Sequence, residues 1–270
     1  MERLSINYYD PAFNPAIADG CTLKVVIGTD GLSLSVTNNS TVQVLKSWVF
    51  PELHHEQSIR KILNGHDLVA YPYGKTMVSF FTTHQTLTPR RMFDMSQKSA
   101  YLETLLDNVP DTAFVQDIPA LDSFLAWTPP PEILKICRYF FPTADLKPQL
   151  APLLLRTHEM SAGDETKIFV HFRSSHIQII SFERGNLLFF NTFSYEKPSD
   201  ILYFTLLVYD QLNIKPAQTG LIISGELLEE SEIYRQFQRF IRDIRFLPSP
   251  TLSGVPQHIL PHVYIDQTIC

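Results

Sequence analysis

The same order of predicted strands and helices occurs twice in this chain, and that repeat restricts the fold more than any other feature. The second copy is the clearer one. Its alternating apolar and polar residues predict three strands, an apolar stretch then predicts a buried helix, and a short continuous apolar run predicts a strand covered on both faces. In chain order these five elements lie at 167–173, 176–183, 186–194, 197–212 and 221–224. An amphipathic helix at 229–242 and a strand at 244–247 complete the copy.

The first copy begins at Thr22 and carries more insertions. Three strands are predicted between Thr22 and Phe50, with Asp30-Gly31 as a tight turn, because this dipeptide readily adopts positive φ. Between 67 and 93 the pattern predicts an inserted hairpin, formed by 68–73 and 76–82. The remaining predicted helices are 51–63, 96–106, 119–127, 132–141 and 149–159, and the remaining strands are 112–118 and 144–147.

An antiparallel meander followed by parallel strands with crossover helices is a mixed α/β sheet. The repeat therefore predicts two subdomains, each a mixed five-stranded sheet flanked by helices. We place the first at 1–159, including the hairpin insertion near 67–93, and the second at 160–270. The boundary lies in a polar loop at 160–165.

Charge and composition exclude several classes of function. The chain has 270 residues, of which 44% are hydrophobic and 19% charged, so it is predicted to be globular. A net charge of −6 argues against general nucleic-acid binding, so we expect no nucleic-acid partner. The compact basic stretch Pro89-Arg90-Arg91 is better explained as a solvated loop.

Cysteine use and hydropathy predict a cytoplasmic location. No apolar run is long enough to span a bilayer, and the start of the chain lacks the pattern of a secretory leader. Cys21, Cys137 and Cys270 are odd in number and far apart, which fits neither a metal spacing nor a disulfide framework. They are predicted to be reduced, buried thiols.

Three segments carry a resemblance to a known fold family, namely 85–93, 153–158 and 221–226. With the repeat, they resemble the actin-like ATPase superfamily, whose members contain two ribonuclease-H-like subdomains. More closely, most of the chain is similar to an uncharacterised bacterial family, a domain of unknown function with an actin-like fold. The resemblance implies an actin-like ATPase architecture with a nucleotide cleft between the subdomains.

In active members of the superfamily, the first meander turn carries an Asp-x-Gly signature, which holds phosphate and orients a hydrated metal. Here the turn reads Gly28-Thr29-Asp30-Gly31. Aligning Gly31 with the family glycine places Thr29 where the aspartate belongs, and it shifts Asp30 by one position, toward the other face. An ordinary Asp-Gly hairpin turn is therefore favoured over a phosphate site.

The other two nucleotide elements also differ from the family pattern. The second phosphate turn contains Ser174 and Ser175 beside an arginine, and it offers nothing to hold Mg²⁺. The third element is Ser224-Gly225-Glu226, where family members contact adenosine with a pair of glycines and this chain keeps one. A turn at a strand end uses a glycine in any case.

Histidine pairs are the other candidates for chemistry. Adjacent His54 and His55 point in different directions at a helix start, and a proline interrupts the helical spacing of the pair His258 and His262. His171 and His176 flank a hairpin turn, where hydrogen-bonded strand histidines are commoner than metal ligands. We predict no metal site and no catalytic residues.

The leading hypothesis is a non-catalytic actin-like scaffold or partner-binding protein with degenerate nucleotide motifs. ATP and Mg²⁺ are not favoured as cofactors, and a protein partner is expected. Phe80-Phe81 and Phe189-Phe190 either contribute to such an interface or lie in the core, the latter being favoured for the second pair. The alternative is an ATP-binding protein or phosphotransferase with a divergent cleft, and a weaker one is a small-ligand sensor. The candidate cleft residues are Thr29, Asp30, Gly31, Ser33, Ser174, Ser175, Ser224, Gly225 and Glu226.

Overall fold

The computed structural model describes residues 3–39, 41–51, 54–103, 105, 112–163 and 165–248, together with 255 and 266. These residues form two compact units. The first contains the described residues up to Leu153 together with Val255, and the second contains Leu154 to Pro248 together with Asp266. The boundary predicted after residue 159 stays a prediction. In the described part of the chain, no helix is long and apolar enough to cross a membrane.

The second unit is built on a five-stranded mixed sheet. Its strands are β10 (Thr166–Phe172), β11 (His176–Glu183), β12 (Asn186–Ser194), β13 (Leu221–Gly225) and β14 (Ile244–Phe246). They lie in the order β12-β11-β10-β13-β14, with antiparallel pairs as far as β10 and parallel pairs beyond it. The predicted meander and the buried parallel strand are both confirmed.

Two helices cover the core of this unit. Helix α4 (Pro198–Gln211) begins with proline at its first position, and the Asp200 carboxylate accepts the N–H groups of Lys197 and Glu196 at 3.0 and 3.1 Å. Helix α5 (Glu232–Phe237) is shorter than the predicted 229–242. Phe189 packs against the core that these helices cover, as favoured from the sequence.

The first unit contains a six-stranded mixed sheet in the order β1-β4-β3-β2-β5-β9. Its strands are β1 (Arg3–Tyr9), β2 (Thr22–Ile27), β3 (Gly31–Asn38), β4 (Thr41–Val49), β5 (Lys75–Phe80) and β9 (Asp145–Pro148). Five of them follow the same order as the second unit. The sixth, β1, pairs with β4 at the edge of the sheet and comes from a segment that we expected to be only an extended lead-in.

The helices of the first half are α1 (His55–Asn64), α2 (Pro131–Phe140) and α3 (Leu150–Met160). The predicted buried thiols are confirmed for Cys21 and Cys137, whereas Cys270 lies outside the described residues. Phe80 and Phe81 are buried and belong to the core rather than to a surface.

A separate three-stranded sheet replaces part of what the sequence pattern predicted. It consists of β6 (Gln85–Pro89), β8 (Ser123–Trp127) and β7 (Phe114–Ile118), with β8 in the middle. The helix predicted at 119–127 is wrong, because a 3₁₀ turn ending at left-handed Asp122 leads directly into β8.

Two other predictions for this region are wrong. The hairpin between 68–73 and 76–82 does not form, because β5 pairs in parallel with β2 and 67–69 is a 3₁₀ turn. Within 96–106, the described residues form 3₁₀ turns in place of the predicted α-helix. The tail element predicted at 262–270 lies outside the described residues except for Asp266.

Candidate functional site

The turn between β2 and β3 holds the first group of predicted site residues. The Gly28 N–H donates to the Gly31 carbonyl at 3.0 Å, and the Phe50 N–H donates to the Asp30 carbonyl at 3.2 Å. A Cβ at Gly31 would lie 2.9 Å from the Trp48 carbonyl oxygen, so strand pairing itself requires a glycine there. The turn is therefore held on both sides by ordinary sheet contacts.

Asp30 lies inside the first unit and is only 1% exposed. Its Oδ1 is 3.0 Å from the position that a Cβ on Gly28 would take, and Phe81 borders the same position. The carboxylate is thus packed over Gly28, while Thr29 and Ser33 are half-buried. Mg²⁺ in phosphate sites keeps several waters, and a buried carboxylate is poorly suited to a hydrated ion of this kind.

The turn between β10 and β11 is the equivalent segment of the second unit. The Arg173 N–H donates to the His176 carbonyl at 2.9 Å, and the Tyr195 hydroxyl donates to the Arg173 carbonyl at 2.6 Å. The Tyr195 N–H donates to the Ser175 carbonyl at 3.0 Å, and the Ser175 hydroxyl lies 2.8 Å from Nδ1 of His176. The structure places Ser174 and Ser175 in a half-buried turn that its own neighbours hold.

A buried polar cluster lies at the adjoining strand ends. His171 on β10 stands beside Ser224 on β13 in the parallel register, and its Nδ1 is 3.0 Å from the Ser224 hydroxyl. Its Nε2 is 3.4 Å from Oδ1 of Asp266, whose Oδ2 accepts from Arg173 Nη1 at 3.0 Å. The His171, Arg173 and Asp266 side chains are 2%, 12% and 15% exposed.

These residue types resemble a serine–histidine–aspartate relay, but their placement does not suit nucleophilic catalysis. Ser224 is 4% exposed, so a substrate cannot reach its hydroxyl group in this arrangement. Arg173 instead donates to the Asp266 carboxylate, and this charge-assisted hydrogen bond links Asp266 to the ends of β10 and β13.

Gly225 ends β13 in a conformation that only glycine adopts easily. Its φ is +88°, and a Cβ would lie 2.0 Å from the Phe172 carbonyl oxygen. The next N–H, from Glu226, donates to that same oxygen at 3.0 Å, and Glu226 itself is exposed. The glycine is therefore explained by the close approach of β13 to β10.

The structure brings the predicted residues together in two groups. Thr29, Asp30, Gly31 and Ser33 lie in the first unit, and the group formed by Ser174, Ser175, Ser224, Gly225 and Glu226 lies in the second. Their assignment as a nucleotide site stays a prediction. Sequence reasoning did not identify Asp266, and it treated His171 only as a possible metal ligand. Among the described residues, no group of three or more histidine, cysteine, aspartate or glutamate side chains is placed to hold a metal ion.

Comparison with families and solved structures supports the architecture. A family model described as "Protein of unknown function (DUF3822)" matches residues 10–244. A solved protein from Bacteroides thetaiotaomicron, with an actin-like ATPase fold and unknown function, aligns with a TM-score of 0.75 and 21% identity. The alignment covers 87% of this chain and 93% of that one.

A second solved structure, a PilM–PilN type IV pilus biogenesis complex, aligns with a TM-score of 0.52 and 12% identity. Here 92% of this chain and 97% of the other are covered. No curated protein sequence matches the chain. At these identities the two structural matches show the fold alone, and they confirm the predicted actin-like ATPase architecture.

Proposed function

The chain belongs to the DUF3822 family, whose function is unknown, and we propose that it acts as a non-catalytic actin-like protein that binds a protein partner. The proposal includes a cytoplasmic location. The proposal is argued from the side chains at the predicted nucleotide-binding turns, because function depends on the site rather than on the fold.

The observation that carries the proposal is the contact of Asp266 with Arg173 and His171. A phosphate at the turn between β10 and β11 would need the positive charge of Arg173, which is already bonded to a carboxylate at 3.0 Å. Placing a second anion there would bring like charges together in a poorly solvated position, which is unfavourable. This turn therefore supports a structural role better than a phosphate-binding one.

The first turn supports the same conclusion independently. The Asp30 side chain is packed against the position of Gly28 and is buried. Phosphoryl transfer depends on metal ions that neutralise the developing charge, and these ions are held by accessible carboxylates. A protein that uses this fold only as a binding surface does not require a metal-binding carboxylate.

Two observations support the partner part of the proposal. The PilM neighbour was solved as a complex with PilN, so a protein of this fold does associate with another protein. In the present chain, several large apolar side chains remain exposed, including Tyr139 at 75%, Tyr203 at 61% and Phe240 at 51%. Exposed aromatic side chains are enriched at protein–protein interfaces.

Isothermal titration calorimetry with ATP, with and without Mg²⁺, tests the non-catalytic part. We expect no binding heat from a sample that circular dichroism shows to be folded. Asp30→Asn serves as the matched variant, since it keeps the side-chain shape and removes the charge. Metal-dependent micromolar binding that Asp30→Asn abolishes would contradict the proposal and favour a divergent ATP-binding protein.

A further inference from the structure

A groove beside the three-stranded sheet of the first unit has the chemistry of a peptide-binding site. It has a volume of about 480 Å³, and Phe114 and Val115 of β7 form one side of it. The remaining lining residues are Met95, Lys98, Thr112, Ala113 and Arg138. This size falls within the roughly 300–1,000 Å³ that is typical of ligand sites.

One wall of the groove is a sheet edge. Among the described residues, the strand order β6-β8-β7 leaves β7 paired with β8 alone, through all five residues from Phe114 to Ile118. In an antiparallel edge strand, alternate residues direct their backbone N–H and C=O groups away from the sheet. Another extended segment can pair with these groups, which is the common mode of adding a peptide strand to a sheet.

The lining of the groove also includes two cations, Lys98 and Arg138. Lys98 follows the 3₁₀ turn Met95–Gln97, and Arg138 lies in the last turn of α2. Neither side chain has an ion-pair or hydrogen-bond partner among the described residues. Lys135, three residues before Arg138, is exposed on the same face of the helix and adds to the positive charge.

Two acidic side chains near the groove, Asp94 and Asp117, do not line it. The Asp94 carboxylate accepts from the N–H and hydroxyl groups of Ser96 at 2.9 and 2.7 Å. The Asp117 carboxylate on β7 pairs with Arg90. The residues that line the groove include two cations and no acidic side chain, in a chain whose net charge is −6, and this contrast argues for an acidic occupant.

Met95 gives the groove an apolar contact as well. The side chain is 55% exposed at the groove, and an unbranched thioether adapts to partner side chains of different shape. An extended segment presents alternate side chains to opposite sides, so acidic residues can face the cations while apolar residues lie against Met95.

We infer that this groove binds an extended, acidic segment of a partner protein, which adds as a strand to β7 and pairs its carboxylates with Lys98 and Arg138. The inference rests on the proposed partner-binding role and names the chemistry of the partner. Its test is independent of the nucleotide titration, because β7 and the turns at Asp30 and Arg173 lie in different parts of the chain.

The probe is a fluorescein-labelled hexapeptide of alternating glutamate and valine, titrated with the full chain and followed by fluorescence anisotropy. We expect saturable binding that weakens as salt is added, whereas a peptide of alternating lysine and valine should not bind. The double variant Lys98→Glu/Arg138→Glu should lose roughly tenfold or more in affinity.

Lys215→Glu/Arg239→Glu is the matched control. It makes the same change in net charge at two exposed positions of the second unit and should leave the affinity unchanged. Circular dichroism establishes that both double variants are folded, and Lys98→Gln/Arg138→Gln replaces the first if charge reversal prevents folding. Binding that both double variants weaken equally would reflect net charge alone and would overturn the inference.

Hydrogen exchange with bound peptide identifies the element involved. We expect slower exchange of the amides at 114–117, with little change in the second unit.

A folded chain that does not bind the peptide would overturn the inference. So would a single-stranded oligonucleotide that binds through Lys98 and Arg138 without protecting β7, since the groove would then be a general anion patch. Dimerisation through β7 in sedimentation experiments would identify a second copy as the occupant and also overturn it.

Discussion

The pairs β2–β5 and β10–β13 occupy equivalent places in the two units and have the same register. Val26 faces Ser79 and Ile27 faces Phe80 in the first unit, just as His171 faces Ser224 and Phe172 faces Gly225 in the second. Even the next hydrogen bond is repeated: Phe81 N–H to Ile27 at 2.9 Å, and Glu226 N–H to Phe172 at 3.0 Å.

Ser79 and Ser224 are the same residue at matched positions, whereas the residues that face them differ in chemistry. Where the first unit has the apolar Val26, the second has His171 bonded to a serine and facing a carboxylate. The duplicated backbone therefore specifies where a residue lies, whereas the local side chains decide whether that place carries charge. The strand ends of the second unit depend on polar contacts, and those of the first unit depend on packing.

The largest effect is expected at the strand ends, where Phe80 in one unit corresponds to Gly225 in the other. Gly225→Ala should destabilise the second unit by at least about 3 kcal/mol, because the new Cβ would clash with backbone at positive φ. Hydrogen exchange of β10 amides measures this loss. Tryptophan fluorescence does not, since Trp48 and Trp127 both belong to the first unit.

Gly163→Ala is the control for backbone strain alone. Its φ is +123°, but no atom of the described residues lies within 4 Å of the added Cβ, so we expect a loss of only about 1 kcal/mol. Equal losses at the two glycines would mean that the close approach of β13 to β10 contributes nothing.

Removing the carboxylate that distinguishes the second unit should have an intermediate effect. Asp266→Ala leaves Arg173 and His171 without their anionic partner and should lower the unfolding free energy of the second unit by about 2 kcal/mol. Urea denaturation followed by far-UV circular dichroism and by exchange of β10 amides measures the change.

Asp243→Ala removes an exposed pair and serves as the comparison. Asp243 bonds Arg245 at 2.8 Å, but the side chains are 50% and 74% exposed, so the loss should be below about 0.5 kcal/mol. If the two aspartate variants were equally stable, the cluster at the ends of β10 and β13 would be energetically neutral.

The smallest effect concerns pH and the first unit. Burial lowers the pKa of His66, with a smaller contribution from Lys46, and burial also lowers the pKa of His84. A lowered pKa means that the folded form prefers neutral histidine. As pH falls below about 6.5, the unfolded chain takes up protons first and the unfolding free energy of this unit decreases.

Tryptophan fluorescence during urea unfolding between about pH 7.5 and 5.5 reports this change for the first unit. His84→Gln should reduce the slope of unfolding free energy against pH, whereas His54→Gln, at an exposed position, should leave it as in the parent chain. A slope unaffected by His84→Gln would show that burial of this ring is not linked to folding.

Prediction from sequence succeeded where the apolar pattern was local and strongly periodic. The three strands of the second meander and the buried β13 follow from alternation and continuous apolar runs. It failed at 119–127, which was predicted as a helix, because Asp122 turns the chain into β8. Pairing of β8 between β6 and β7 outweighs the local preference there.

The site residues show the same division. Gly225 was expected from the turn that a strand end requires, and the structure gives the reason in the nearby Phe172 carbonyl. Asp266 had no local signal, because its partner Arg173 is 93 residues away in sequence. Only the folded chain brings these two charges together.

The sequence by itself determined the order of elements in the second copy, the buried character of its central strands and the absence of an ordinary phosphate signature, since each is a property of neighbouring residues. Tertiary structure decided that β5 joins the main sheet and that β7 is an edge strand among the described residues. It also decided that Asp266 neutralises Arg173. These outcomes depend on contacts between distant segments, whose free energies arise only when the chain is packed.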